Sequence, residues 1–246
     1  MTVLSVDLAH KSYADVGVCS LRFDRHRIDV TPVRLSAIGL SGPPDLGALA
    51  KAVAGLAEQL DARLILIDGP QAWKSPDNGL LHCRVCERQL ATQGKTGLPG
   101  FTKPANYAPF ISFAIGLFDR LTEVGWPRLP VESALTSSGR FALESFPTSA
   151  WRSLGLKPLP GKANTPAGAV QAKVAELRSL SLISTAGDLT HDELQALVAG
   201  LAGIAVEGHP AYTFALAGVP PFKLEGLWRE GFIVNPLRML SNPCGP

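Results

Sequence analysis

The chain has 246 residues, 46% of them hydrophobic and 18% charged, a balance that sustains a sizeable core and excludes an intrinsically disordered chain. With 23 basic against 21 acidic residues its formal charge is only +2, so bulk charge does not mark a polyanion binder; that would take local clustering of Lys and Arg. Four cysteines, Cys19, Cys83, Cys86 and Cys244, are too few for a disulfide framework at this length, which suits a reducing cytoplasm. No basic segment followed by an apolar stretch opens the sequence, and the most apolar runs, residues 110–118 and 196–206, are too short to cross a bilayer, so neither secretion nor a membrane partner is expected.

Residues 2–8, containing the run Val3-Leu4-Ser5-Val6-Asp7-Leu8, are predicted as a strand that delivers Asp7 near its C-terminal end. A second strand is expected over 15–23, a polar turn over 24–27, and a third strand over 28–35, whose Pro32 demotes it to an edge. Three strands before any helix suggest an antiparallel meander. Asp45 caps a helix over 46–60, with Leu46, Leu49, Val53, Leu56 and Leu60 at helical spacing. The fourth strand, 63–69, carries Leu64-Ile65-Leu66-Ile67 and ends in Asp68-Gly69-Pro70. Four aliphatic residues in a row fit an interior strand covered on both faces, and the crossover before it implies a parallel neighbour.

Helices are expected over 78–93 and 110–124, loops over 94–109 and 126–139, and a fifth strand over 140–146, stopped by Pro147. Residues 148–154 begin a helix, 157–168 form a Pro/Gly-rich loop, and 167–182 and 189–206 are amphipathic helices. The remainder is expected to be irregular, with short strands at 221–227 and 231–235 that cover an edge or form a hairpin. The order describes an α/β layered domain with a mixed sheet over residues 1–208, a helical insertion at about 72–139, and residues 209–246 as an extension packed on the same domain.

Asp7 and Asp68 stand at the C-terminal ends of two expected parallel strands, the edge where open α/β sheets bind ligands. Glu144 interrupts the apolar fifth strand with a charge, and Asp192 lies in the first turn of the last helix. If the strands lie side by side, Asp7, Asp68 and Glu144 converge. Crowded carboxylates stay ionised only with a cation among them, and hard oxygen ligands suit Mg²⁺ or Mn²⁺, one or two ions that activate water for phosphodiester hydrolysis. Each residue also has a plainer role: an Asx-turn for Asp68, a turn cap for Asp7, solvent-facing alternation for Glu144, and a helix-dipole acid for Asp192.

The motifs Val6-Asp7-Leu8-Ala9, Ile67-Asp68-Gly69-Pro70, Arg84-Val85-Cys86-Glu87, Glu144-Ser145-Phe146-Pro147 and the helix 192–200 (DELQALVAG) are each short. In this order and spacing the chain resembles the family known as domain of unknown function 429, regarded as RNase H-like nucleases. The resemblance implies a ribonuclease H-like fold: a five-stranded mixed sheet, the first three strands antiparallel, flanked by helices. It also implies a divalent-metal site from Asp7, Asp68, Glu144 and an acid on the last helix, with Arg84 and Glu87 forming a wall of the cleft. The sequence departs from that pattern at Gln195, where such families often carry the helix acid; the nearest acid is Asp192, one turn earlier.

Other constellations are less specific. His82-Cys83-x-x-Cys86 lacks the further ligands of a zinc site and lies inside an expected helix, which points to structural cysteines. Gly94-Lys95-Thr96-Gly97 lacks phosphate-loop spacing. Arg84, Lys103, Arg140 and Lys162 are candidate phosphate contacts or ordinary surface charges, and Tyr107, Trp73 and Trp151 candidate stacking platforms or core. The expectation is a metal-dependent phosphodiesterase, a nuclease with nucleic acid as substrate; the alternative is a non-catalytic nucleic-acid- or protein-binding module whose metal site has eroded at Gln195.

Overall fold

The computed structural model describes residues 1–25 and 27–239; Cys244 lies outside them. The strands are β1 (Thr2–Asp7), β2 (Gly17–Asp24), β3 (Arg27–Pro32), β4 (Ala62–Asp68), β5 (Phe141–Ser145), β6 (Thr185–Ala186), β7 (Tyr212–Leu224) and β8 (Leu227–Arg238). The helices are α1 (Leu46–Gln59), α2 (Val85–Gln89), α3 (Ala108–Glu123), α4 (Pro147–Ser153), α5 (Ala169–Ser179) and α6 (His191–Val206). All eight strands form one mixed sheet in the order β6-β3-β2-β1-β4-β5-β8-β7. β1, β2 and β3 pair antiparallel, and β4, β5 and β8 continue from β1 in parallel.

The expected five strands are therefore the interior of a larger sheet. β6 flanks the β3 edge, and the segment expected to be irregular supplies β7 and β8, a long hairpin that pairs with β5. The expected short strands at 221–227 and 231–235 fall within or against this hairpin, and two Pro and alternating burial hid the earlier part of β7. The expected helix over 78–93 shrinks to Val85–Gln89. Asn78 closes an Asx-type turn by accepting the Leu80 amide, Gly79 adopts φ 72°, and the apolar Leu81 points to solvent at 84% exposure. Local side-chain bonding of this kind competes with helix.

Alternation along the strands sorts the core into two layers. Val3, Leu64, Leu66 and Leu143 face α4, α5 and α6, whereas Leu4, Val6, Ile65 and Ile67 face α1 and α3. α6 carries Gly200 and Gly203 on its sheet side. A Cβ on Gly203 would lie 2.5 Å from Val3 Cγ1 and 2.7 Å from Leu66 Cδ2, and one on Gly200 would lie 2.7 Å from Leu21 Cδ1. The glycines let the helix backbone settle directly onto β1, β2 and β4.

Gly203→Ala tests this contact. Helix propensity alone would gain about 1 kcal/mol, but overpacking costs about 1–3 kcal/mol. The expected result in urea denaturation is net destabilisation; an unchanged or higher midpoint would show that α6 does not need the close approach.

Candidate active site

β1 and β4 end in register, with Asp7 opposite Asp68. Both carboxyls project to the α6 face of the sheet, are half-buried, and are hydrogen-bonded to one another. Withdrawal from water, the neighbouring Asp68 charge and the shared hydrogen bond push Asp7 well above the ordinary carboxylate range, with Asp192 adding to the effect. Asp68 is pushed up to about 7, chiefly by desolvation; its bond to Asp7 opposes the rise and Glu144 adds to it. The pair titrates as a unit.

Asp192 reaches this pair because α6 starts against β2. Gly17, the β2 partner of Asp7, lies so close that a Cβ on it would fall 2.2 Å from the Asp192 carbonyl carbon. Thr190 caps the helix, exchanging hydrogen bonds with Glu193, as sequence position suggests. Asp192 is not free: Lys162 Nζ contacts its Oδ2 at 2.5 Å and Asp15 Oδ1 at 2.7 Å, and His191 Nδ1 lies 3.0 Å from its Oδ1. Partial desolvation works against the Lys162 charge, but hydrogen bonds to Asp15 and Asp192 outweigh it and hold the ammonium above its ordinary pKa. Lys162 thus brings the Pro/Gly loop to the carboxylates; its bonds run to acids.

Glu144 does not join this group. In the β4–β5 register it sits opposite Ile67, while Ser145 sits opposite Asp68. One residue of offset turns Glu144 to the other face. There it takes both Nη atoms of Arg84 at 2.7 and 2.6 Å and the Gln71 amide at 2.9 Å. Burial raises its pKa, and Arg84 and Gln71 oppose that rise. Arg84 Nε bonds Glu87, which also accepts the Arg84 and Thr96 amides and the Thr96 hydroxyl. Each of the three guanidinium nitrogens thus bonds a buried carboxylate.

The Arg84 segment is anchored by the C-terminal hairpin. Buried Glu230, at φ 60°, accepts the Ser75 and Val85 amides at 2.8 Å and the Asn78 side chain at 2.7 Å. Gln195, at the expected helix-acid position, accepts the indole of buried Trp151 at 2.8 Å. Cys86 packs with Ala217 and Ile233.

Three of the four predicted acids are therefore neighbours and the fourth is elsewhere. Among the described residues, no three or more His, Cys, Asp or Glu are gathered so as to hold a metal ion. Two carboxylates with water and substrate oxygens do suit one Mg²⁺ or Mn²⁺, and the raised pKa of Asp7 and of Asp68 marks a place short of positive charge. The donor set fits one ion and not two. Sequence reasoning missed Ser145 and Asp15; alternation counted from Asp68's partner strand would have singled out Ser145.

No protein-family model matches the chain, and neither does any curated protein. Among solved structures it is similar to one described as the Thermus thermophilus RuvC structure, at 8% identity and a TM-score of 0.39, over 81% of this chain and 91% of that one. A likeness this distant assigns neither family nor activity. Among the described residues no helix is long and apolar enough to cross a membrane.

Two measurements check these electrostatics. Arg84→Met leaves Glu87 and Glu144 buried without their cation and should cost about 3–5 kcal/mol in chemical denaturation; a loss under about 1 kcal/mol would mean that the triad is solvated. Because the folded pair binds protons more tightly than the unfolded chain, its contribution to stability in EDTA is fully present below the ordinary Asp pKa and is lost as pH rises through about 7. Asp68→Asn should flatten that loss and raise the melting temperature at pH 8. A wild-type melting temperature that rises between pH 5 and 8 would contradict the assignment.

Proposed function

We propose that the protein is a divalent-cation-dependent phosphodiester hydrolase, a nuclease on a ribonuclease H-like core. The observation that carries this reading is the Asp7–Asp68 pair: two hydrogen-bonded, charge-starved carboxyls at the ends of adjacent parallel strands. The inner strand order β3-β2-β1-β4-β5, with its first three strands antiparallel, supports the fold assignment. Asp7 and Asp68 would hold Mg²⁺ or Mn²⁺, which when bound polarises a phosphate and makes water a better nucleophile. The pair gives up its shared proton on binding. Asp192 and Asp15 aim the Lys162 ammonium at the same place, where its charge offsets that developing on the departing oxygen. Lys162 stands in this scheme as a fixed cation beside a single exchangeable one.

A second reading is a non-catalytic binding module. It is favoured by the engagement of Glu144 with Arg84 and of Gln195 with Trp151.

Titration calorimetry with Mn²⁺ separates the two, paired with cleavage of a single-stranded oligonucleotide in Mn²⁺ and in EDTA. The hydrolase reading expects one ion per chain, abolished in Asp7→Asn, with turnover falling on the order of 100-fold. Lys162→Met should keep the ion and lose turnover. Undiminished cleavage by Asp7→Asn would refute the hydrolase reading, and a folded protein that binds no Mn²⁺ would favour the binding module.

A further inference from the structure

A cavity of about 170 Å³ opens beside Asp68 and runs under α2. This is below the roughly 300–1,000 Å³ of pockets for drug-sized ligands, so it admits one small ring system and not a stretch of polymer. Tyr107, Phe110 and Phe146 supply aromatic wall, and Ile111 and Ile233 further apolar surface. The polar lining is almost entirely spent. Arg84 is committed through Nε and both Nη atoms, Glu144 to Arg84 and Gln71, and Glu87 to Arg84 and Thr96. Ser145, opposite Asp68, completes the lining, but by strand alternation its buried Oγ lies on the Asp7–Asp68 face and adds no polar group to the cavity.

We propose that this cavity is a nucleobase subsite, taking the base of the nucleotide whose phosphate lies at Asp7 and Asp68. The inference rests on the nucleic-acid reading above and specifies which part of the substrate the chain grips. The cavity's own charges disfavour a phosphate: two carboxylates, Glu87 and Glu144, face one guanidinium, Asp68 borders them, and every nitrogen of Arg84 already bonds a carboxylate. What remains is a place for a flat, uncharged ring that stacks on aromatic wall. Aromatic side chains bind any base through its π-face. With the polar lining already spent, the base's edge is left to water and stacking discriminates little among bases. The subsite is therefore tolerant of sequence. It requires an unpaired nucleotide, since a base held in a duplex cannot enter.

The probes are adenosine and uridine at millimolar concentration, added in EDTA to ¹⁵N-labelled protein. Both nucleosides are expected to shift the amides of Gly94, Thr96, Ser145 and Phe146. Tyr107, which is 39% exposed, is replaceable without opening the core; Tyr107→Ala should weaken binding about tenfold and Tyr107→Phe should restore it. Shifts absent from these amides, or unchanged in Tyr107→Ala, overturn the subsite. Cleavage of an oligonucleotide in Mn²⁺ without nucleoside shifts overturns the subsite alone and leaves the hydrolase reading standing. Nucleoside shifts without cleavage uphold the subsite and remove the hydrolytic step.

Discussion

The molecule depends on how closely α6 lies against its sheet. Helices normally stand off a sheet by the depth of their side chains, but Gly200 and Gly203 remove that spacing over β1, β2 and β4, and Gly17 removes it at the helix N-terminus. Glycine here serves by having no Cβ, not by its freedom of backbone angle; none of the three has a positive φ. The close approach sets Asp192 near Asp7, and through Asp192 it fixes Lys162 and the loop that carries it. A helix one methyl group further out would leave the Asp7–Asp68 pair facing solvent alone.

Around that arrangement the charges divide into two compartments with different physical roles. On one face, Glu144, Arg84 and Glu87 form a closed set whose members satisfy one another and whose net charge is −1. A set of this kind fixes geometry more than it adds stability. On the other, burial and mutual proximity hold the Asp7 and Asp68 carboxyls above the ordinary carboxylate range, and Lys162, which opposes this at Asp7, is also engaged by Asp15 and Asp192. The chain spends the Arg84 guanidinium on shape and leaves the electrostatic deficit at the strand ends.

The interior strands were legible because four consecutive aliphatics and a terminal Asp say much the same thing at every level of description. The Asp45-capped α1 and the strongly apolar α3 followed from spacing in the same way. Which acids meet was less legible, because convergence depends on parity: Asp7 and Asp68 share a face, and Glu144 misses it by one residue. No local property of the FALESF stretch fixes that register. The β7–β8 hairpin was legible only as two short strands over 221–227 and 231–235; the first half of β7 escaped because it is only partly buried and two prolines follow it. The segment 76–84 misled for the opposite reason, since its leucines mimic a helical stripe that turn bonding breaks.

The clasp between Glu230 and the Ser75–Val85 segment has a temporal side. Every strand that carries an acid of the pair is made before residue 145, but the carboxylate that holds the Arg84 segment is made 86 residues after Glu144 (230 − 144). At translation rates of about 5–20 residues per second this is a delay on the order of ten seconds. During it, the nascent chain can assemble the sheet interior and the Asp7–Asp68 pair, while the roof over Asp68 waits for β8. The hairpin that closes the chamber emerges after the strands that carry the pair, so a ribosome that stalls short of it releases a sheet with its carboxylates in place and the adjoining room unbuilt.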